Sequence, residues 1–177
     1  LKQLNQNPNI GLKAIIDICG LNGRELSMSD IVFKIGPRIN ASGRMESGKE
    51  SVDLLIEKDY NCALQKAKHI DEYNEQRKDI DKQMTEEANQ IVAKIESQKH
   101  YSSIVLYDEN WKKGVIGIVA SRLTELYFRP TVVLTRDGEF GTGSARSVTG
   151  FDVYAAIKSC RDLLMNFGGH TYAAGLT

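Results

Sequence analysis

The chain has 177 residues, 41% of them apolar and 26% charged, which excludes a disordered chain and predicts one or two globular domains. Lysine and arginine number 23, as do aspartate and glutamate, so the basic excess that marks many nucleic-acid binders is missing from the bulk charge. No apolar run approaches the ~20 residues of a membrane span.

Residues 10–19 carry helical apolar spacing through Leu12, Ile15 and Ile16, and Gly20 with Asn22-Gly23 supplies the stop. Ser29-Asp30 reads as the cap of a brief helix through Phe33, halted by Gly36-Pro37. Residues 47–57 form another helix with Val52, Leu55 and Ile56 as the expected buried face. Between residues 61 and 98 there is neither glycine nor proline, and Ala63, Ala67, Ile70, Tyr73, Ile80, Met84, Ala88, Ile91 and Ile95 recur at steps of three and four except at Arg77. One long, thinly apolar connecting helix is predicted. Residues 103–107 and 131–135 read as strands with a helix over 115–127 between them, hence a parallel pair with a right-handed crossover. Asp137-Gly138 predicts a hairpin into a third strand over 139–148. A helix over 151–165 and a final strand over 171–176 complete a small α/β domain with a mixed sheet.

The chain opens on Leu1 and closes on the apolar run 173–177, and is read as a piece of something longer. Cys19, Cys62 and Cys160 are odd in number and far apart; they spell neither a disulfide framework nor a CxxC zinc site and fit a reducing, cytoplasmic setting. The charge divides unevenly: residues 1–58 and 101–177 each carry a net charge of +1, and residues 59–100 carry −2. An acidic helix thus offsets slightly basic flanks, which leaves room for local arginines that bind phosphate.

Four runs hold the candidate chemistry. Arg38, Asn40 and Arg44 are read on a glycine-flanked loop, where guanidiniums and backbone N–H groups suit phosphate; a solvated loop fits the same residues. Trp111 and Lys112 precede a glycine-containing helix start, suited to an anion and a stacked base, or else to a half-buried tryptophan. Ser144 and Arg146 share one face of a strand by period-two geometry, and serve either a phosphate or an exposed edge. Gly168, Gly169 and His170 offer close backbone approach and a proton-transfer group, or a helix C-cap followed by a histidine. Metal prospects are poor: His69 lies mid-helix, His100 follows it by 31 positions, and Asp79 and Asp81 point to different faces of a stretch read as solvated. No Walker loop or nucleophile elbow is present.

Five motifs in order resemble the bacterial RecJ family of single-stranded-DNA-specific exonucleases, within the DHH phosphoesterase superfamily. They are Ile35-Gly36-Pro37-Arg38-Ile39-Asn40-Ala41-Ser42-Gly43-Arg44, Gly114-Val115-Ile116-Gly117-Ile118-Val119-Ala120-Ser121-Arg122, Arg129-Pro130, Gly143-Ser144-Ala145-Arg146-Ser147 and Phe167-Gly168-Gly169-His170. The resemblance implies that residues 1–58 are the C-terminal part of a DHH domain, 59–100 a long connecting helix, and 101–177 a DHHA1 domain truncated at its C-terminus. It implies an α/β fold and a part in a 5′-to-3′ exonuclease of DNA repair and recombination, acting on single-stranded DNA with a 5′ end. Mn²⁺ or Mg²⁺ would be held by ligands outside this chain, so that the fragment is inactive alone. A helicase or single-strand-binding protein is the implied partner, with no membrane role and a cytoplasmic location.

By the same resemblance, Arg38, Asn40, Arg44, Lys112, Ser144, Arg146, Gly168 and Gly169 bind substrate in an interdomain cleft. His170 is the catalytic candidate facing the metals. Lys112 stands where the family commonly has histidine. A DHH–DHHA1 phosphodiesterase for short RNA or cyclic dinucleotides, and a non-catalytic nucleic-acid-binding module, are the alternatives.

Overall fold

The computed structural model describes residues 1–96 and 101–177, so His100 and the last two residues expected in the long helix lie outside the described residues. The chain divides into two compact units, Leu1–Lys78 and Asp79–Thr177.

The first unit is helical: α1 Lys2–Gln6, α2 Ile10–Ile18, α3 Met28–Asp30, a π-helical segment Ile31–Ile35, α4 Gly36–Met45, α5 Lys49–Leu55 and the first half of α6 Tyr60–Glu96. No periodic signal marks α1, which buries none of its residues. The cap of α3 is Ser27 rather than Ser29. Its hydroxyl accepts from the Asp30 N–H while the Asp30 carboxylate accepts from the Ser27 N–H, a reciprocal capping box.

Gly36-Pro37 does not end the helical path. Through residues 31–35 the ladder widens, the Gly36 N–H donating to the carbonyl of Ile31 five residues back. Pro37 then falls in the first turn of a new helix, where its missing N–H and fixed φ cost little. The run 36–44 is therefore a helix, not the expected loop. In α5 the buried residues are Ser51 and Leu54, whereas Val52 and Ile56 are exposed. The hydroxyls of Ser42 and Ser51 meet at 2.6 Å, and Ser51 also donates to the Ile39 carbonyl at 2.6 Å. These bonds satisfy polar groups on the inner face that sequence reasoning assigned to larger apolar neighbours.

At ~1.5 Å per residue, the 37 residues of α6 span roughly 55 Å. Ala63, Ala67 and Ile70 enter the core of the first unit beside Ile15, Leu21, Ile35 and Leu54. Met84, Ala88 and Val92 enter a core of the second. Between them the buried stripe does not lapse at Arg77. Asn74 and Asp81 occupy it, each almost wholly buried, because the 3.6-residue period continues through polar positions. Asp81 is thus not solvated as expected: its carboxylate receives Arg122 Nε at 3.0 Å and Nη2 at 2.8 Å.

The second unit continues with β1 Ile104–Tyr107, α7 Ile116–Tyr127, β2 Thr131–Asp137, β3 Phe140–Arg146, α8 Val153–Ser159, β4 Phe167–His170 and β5 Ala173–Leu176. The sheet order is β1-β2-β3-β5-β4, with β1 and β2 parallel and the other neighbours antiparallel. This is the expected mixed sheet. Asp137 pairs with Phe140 across a two-residue turn opened by Gly138 at φ +63°, the left-handed start that a primed hairpin turn needs.

Ile104, Leu106 and Val133 turn one sheet face to α7 and the second half of α6, with Leu123 fully buried among them. Burial of a side chain of that size contributes ~1.5–3 kcal/mol. Ala145, Ala174, Val153 and Ile157 form a smaller core on the other face, under α8. Asp152 caps α8 through the Ala155 N–H. The helix ends at Ser159 and a 3₁₀ turn Arg161–Leu163 follows, so the expected helix over 151–165 is less than half as long. Gly168-Gly169 does not cap it but lies within β4, a strand at the sheet edge.

Candidate nucleic-acid interface

The candidate residues fall into both units. In the first unit the helical form of residues 36–45 separates residues that a loop reading kept together. Asn40 and Arg44 are one turn apart and both exposed, so they share a face. Arg38 lies about 160° from Asn40 around the axis at ~100° per residue. It donates from Nε to Asp71 Oδ1 at 2.7 Å and from Nη1 to the Lys34 carbonyl at 3.0 Å, with its side chain only 17% exposed. Arg38 therefore ties α4 to α6. Gly36 and Gly43 fall on the same side of the helix as Asn40 and Arg44, but a Cβ on Gly43 would meet the Gly48 backbone at 3.5 Å and one on Gly36 the Ile31 carbonyl at 3.0 Å.

In the second unit the register of the sheet assembles a row. Ser144 pairs with Gly175 and Gly175 with Gly168; Arg146 pairs with Ala173 and Ala173 with His170. Paired residues in an antiparallel sheet share a face. Ser144, Arg146, Gly168, Gly175 and His170 thus belong to one face, the side on which α7 packs. Strand spacing of ~4.8 Å puts the Arg146 and His170 backbones roughly 10 Å apart.

Neutral oxygens are among the groups that orient Arg146. Nε donates to Ser121 Oγ at 3.1 Å, and Nη1 donates to Ser144 Oγ at 2.9 Å and to the Ala145 carbonyl at 2.8 Å. The orienting contacts of Arg38 and Arg122 are of another kind, to the carboxylates of Asp71 and Asp81. His170 is exposed, and its Nδ1 accepts the Tyr172 N–H at 3.3 Å. That bond places the proton of the neutral ring on Nε2, which then serves as a donor.

The two glycines of β4 differ. A Cβ on Gly169 would stand 2.3 Å from the Ala173 carbonyl oxygen, so the β4–β5 hairpin itself demands glycine there, on the opposite face from His170. A Cβ on Gly168 would meet nothing within 4 Å, and one on Gly175 nothing closer than the Gly143 oxygen at 3.9 Å. Bare backbone beside Arg146 is therefore accessible.

Trp111 offers no stacking surface. It is buried in the core and its indole N–H donates to Glu87 Oε2 at 2.9 Å. Lys112 is exposed in the turn before α7, and its carbonyl accepts the Val115 and Ile116 N–H groups. Lys113 pairs with Asp137.

Sequence reasoning missed Ser121 and Gly175. Both join the site only through non-local pairing, although Ser121 lies within a quoted motif. Among the described residues no three His, Cys, Asp or Glu side chains could hold a metal ion. No helix among them is long and apolar enough to cross a membrane.

A helical unit and a mixed α/β unit that aligns Ser144, Arg146, Gly168 and His170 on one sheet face define an α/β protein whose sheet face carries hydrogen-bond donors. Residues 89–177 match the DHHA1 domain; the chain belongs to the DHHA1 family. The single-stranded-DNA-specific exonuclease RecJ of Bacillus subtilis (strain 168) is 38% identical over 179 residues, covering 100% of this chain and 22% of that protein. The protein of the same description from Haemophilus influenzae is 35% identical, covering 95% of this chain and 30% of its own length. A crystal structure of RecJ in complex with Mg²⁺ from Thermus thermophilus superposes with a TM-score of 0.85 at 28% identity, over 99% of this chain and 27% of that one. Exonuclease RecJ bound to manganese gives 0.79 at 29% identity, over 99% and 43%. The chain spans between about a fifth and a third of the length of these curated relatives.

Proposed function

We propose that the chain is the substrate-holding part of a metal-dependent exonuclease that degrades single-stranded DNA from its 5′ end. Residues 1–58 would be the end of a DHH domain, 59–100 the connecting helix and 101–177 the DHHA1 domain. The observation that carries this reading is the oriented Arg146 guanidinium beside Ser144, on the same sheet face as the open backbone of Gly168 and the His170 donor. A charged, preoriented fork of N–H donors suits a phosphodiester oxygen, and accessible backbone lets a strand lie close.

The relatives solved with Mg²⁺ or Mn²⁺ point to divalent-metal chemistry. Among the described residues no donor set fits such an ion, and we place its ligands elsewhere in the protein. The residues described here would hold the strand in line and stabilise charge on the phosphate. Arg146 and Ser144 would take one phosphate, and His170 Nε2–H a second group. Asn40 and Arg44 would form a separate contact surface on α4. Lys112 would add a mobile positive charge, a weaker orienting group than a fixed imidazole. We place the activity in DNA repair and recombination in the cytoplasm, with a helicase or single-strand-binding protein to expose substrate.

Arg146→Ala in the longest natural form of the protein tests the reading. Affinity for a 5′-phosphorylated oligodeoxynucleotide should fall about tenfold or more, the range of one charge-assisted contact, with metal binding unchanged by calorimetry. Unchanged affinity and kinetics would remove Arg146 from the site.

A further inference from the structure

The Arg146 guanidinium is fixed by a seat on α7 as well as by its own strand. Ser121 Oγ accepts from Arg146 Nε at 3.1 Å and itself donates to the Gly117 carbonyl at 3.1 Å, one turn earlier in the helix. The serine hydroxyl is therefore held in both roles and cannot swing away without losing two bonds. Gly117 completes the seat by what it lacks. A Cβ there would stand 3.0 Å from Ser144 Oγ and 3.1 Å from Arg146 Nη2, closer than either group would accept without moving. Gly117 has no positive φ, so its backbone conformation does not call for glycine. The space above its Cα is filled by the two side chains proposed to meet phosphate.

We propose that Ser121 and Gly117 are positioning residues for Arg146: the first fixes the angle of the guanidinium plane, the second keeps clear the volume in which Arg146 and Ser144 lie. The proposal rests on the reading of Arg146 as a phosphate contact. Neither α7 residue touches substrate; both act through Arg146. A guanidinium left to rotate about its terminal torsions must be ordered at each binding event, and that cost appears as lost affinity.

The experiment is a double-mutant cycle in the full-length protein, read as the dissociation constant for a fluorescein-labelled, 5′-phosphorylated single-stranded oligonucleotide, with melting temperature as the control. Ser121→Ala should weaken binding about 5- to 20-fold in the wild-type background, from an ordinary hydrogen bond to the lower end of one to a charged group, and should have no effect when Arg146 is already alanine. Ser121→Thr, which keeps the hydroxyl, should restore most of the affinity. Gly117→Ala should also weaken binding while the melting temperature stays level or rises, because alanine favours a helix.

If Ser121→Ala weakens binding equally in the Arg146→Ala background, the serine does not act through the arginine and the inference is wrong. If Ser121→Ala and Gly117→Ala leave binding intact while Arg146→Ala weakens it, the inference fails and the functional reading stands. If Arg146→Ala itself changes nothing, the reading fails and the inference falls with it.

Discussion

The Asp81–Arg122 pair is asymmetric, and its two halves should respond differently to removal. The Asp81 side chain is 3% exposed and the Arg122 side chain 55%. Two bonds join them, at 3.0 and 2.8 Å, and Thr85 Oγ1 adds a longer one to Asp81 at 3.4 Å. Arg122→Ala strips an interior carboxylate of two charge-assisted hydrogen bonds, each worth ~1.5–3 kcal/mol. The lower end applies because solvent already reaches the arginine. Asp81→Asn leaves a guanidinium that water can solvate and a neutral amide that still bonds, so it should cost only about 1 kcal/mol. The double variant Asp81→Asn, Arg122→Ala buries no charge and should be more stable than Arg122→Ala alone. Urea unfolding followed by circular dichroism measures all three. At ~2–4 °C per kcal/mol for a chain of this size, Arg122→Ala should lower the melting temperature by roughly 6–12 °C. A loss under about 0.5 kcal/mol for Arg122→Ala, or a double variant less stable than that single one, would show that Asp81 is not held as an interior charge.

The two arginines of α4 should separate by assay. Arg38→Ala should lower stability by breaking the tie to Asp71, whereas Arg44→Ala should weaken oligonucleotide binding with little change in melting temperature; equal effects on both measurements would contradict their placement on different faces. Acid should weaken the first unit selectively. Arg24 and the Ser27 N–H and hydroxyl hold the Asp30 carboxyl well below the usual carboxylate range, and Lys66 with the Asp59 and Lys58 N–H groups lowers Glu57 to about 2. Both native values are depressed, so the stability these groups contribute is complete above their ordinary values near 4 and is lost as pH falls toward 2. The stability gap between wild type and Asp30→Asn, from urea midpoints at pH 7, 5 and 3, should hold to pH 5 and narrow at pH 3; a gap that widens on acidification would reverse the sign.

Much of the second unit was legible because its signals are local. The β-branched and apolar run of residues 131–135, the Asp137-Gly138 turn and the apolar spacing of α7 each lie within a few residues, and each of these elements formed within two or three positions of its expected bounds. What stayed hidden depends on partners far along the chain. The α4 run looked like a loop because Gly36 and Pro37 break α-helices, and nothing in the composition announces a π turn that lets the chain continue. In α5, Val52 and Ile56 are more apolar than Ser51, yet Ser51 faces inward because Ser42 and the Ile39 carbonyl supply its bonds. The acidic middle of α6 looked solvated until Arg122, 41 positions away, supplied a counter-charge.

The candidate site shows the same division at the level of single arginines. Ser144 and Arg146 could be put on one face from spacing alone, because a strand repeats every two residues whatever it pairs with. No such rule could tell that Arg38 faces Asp71 while Arg146 rests on hydroxyl and carbonyl oxygens, since a guanidinium reads identically in both settings. The difference bears on function. A carboxylate offsets the charge of the arginine it orients, and such a pair stabilises the fold; hydroxyl and carbonyl acceptors fix direction without themselves cancelling that charge. Arg38 and Arg122 are oriented by aspartates, and Ser121, Ser144 and the Ala145 carbonyl help to aim Arg146 through neutral oxygens. Electrical neutrality is therefore compatible with the proposed phosphate-binding surface: many of the balanced charges, 23 basic and 23 acidic, lie in structural pairs, and net charge does not record where a guanidinium is aimed.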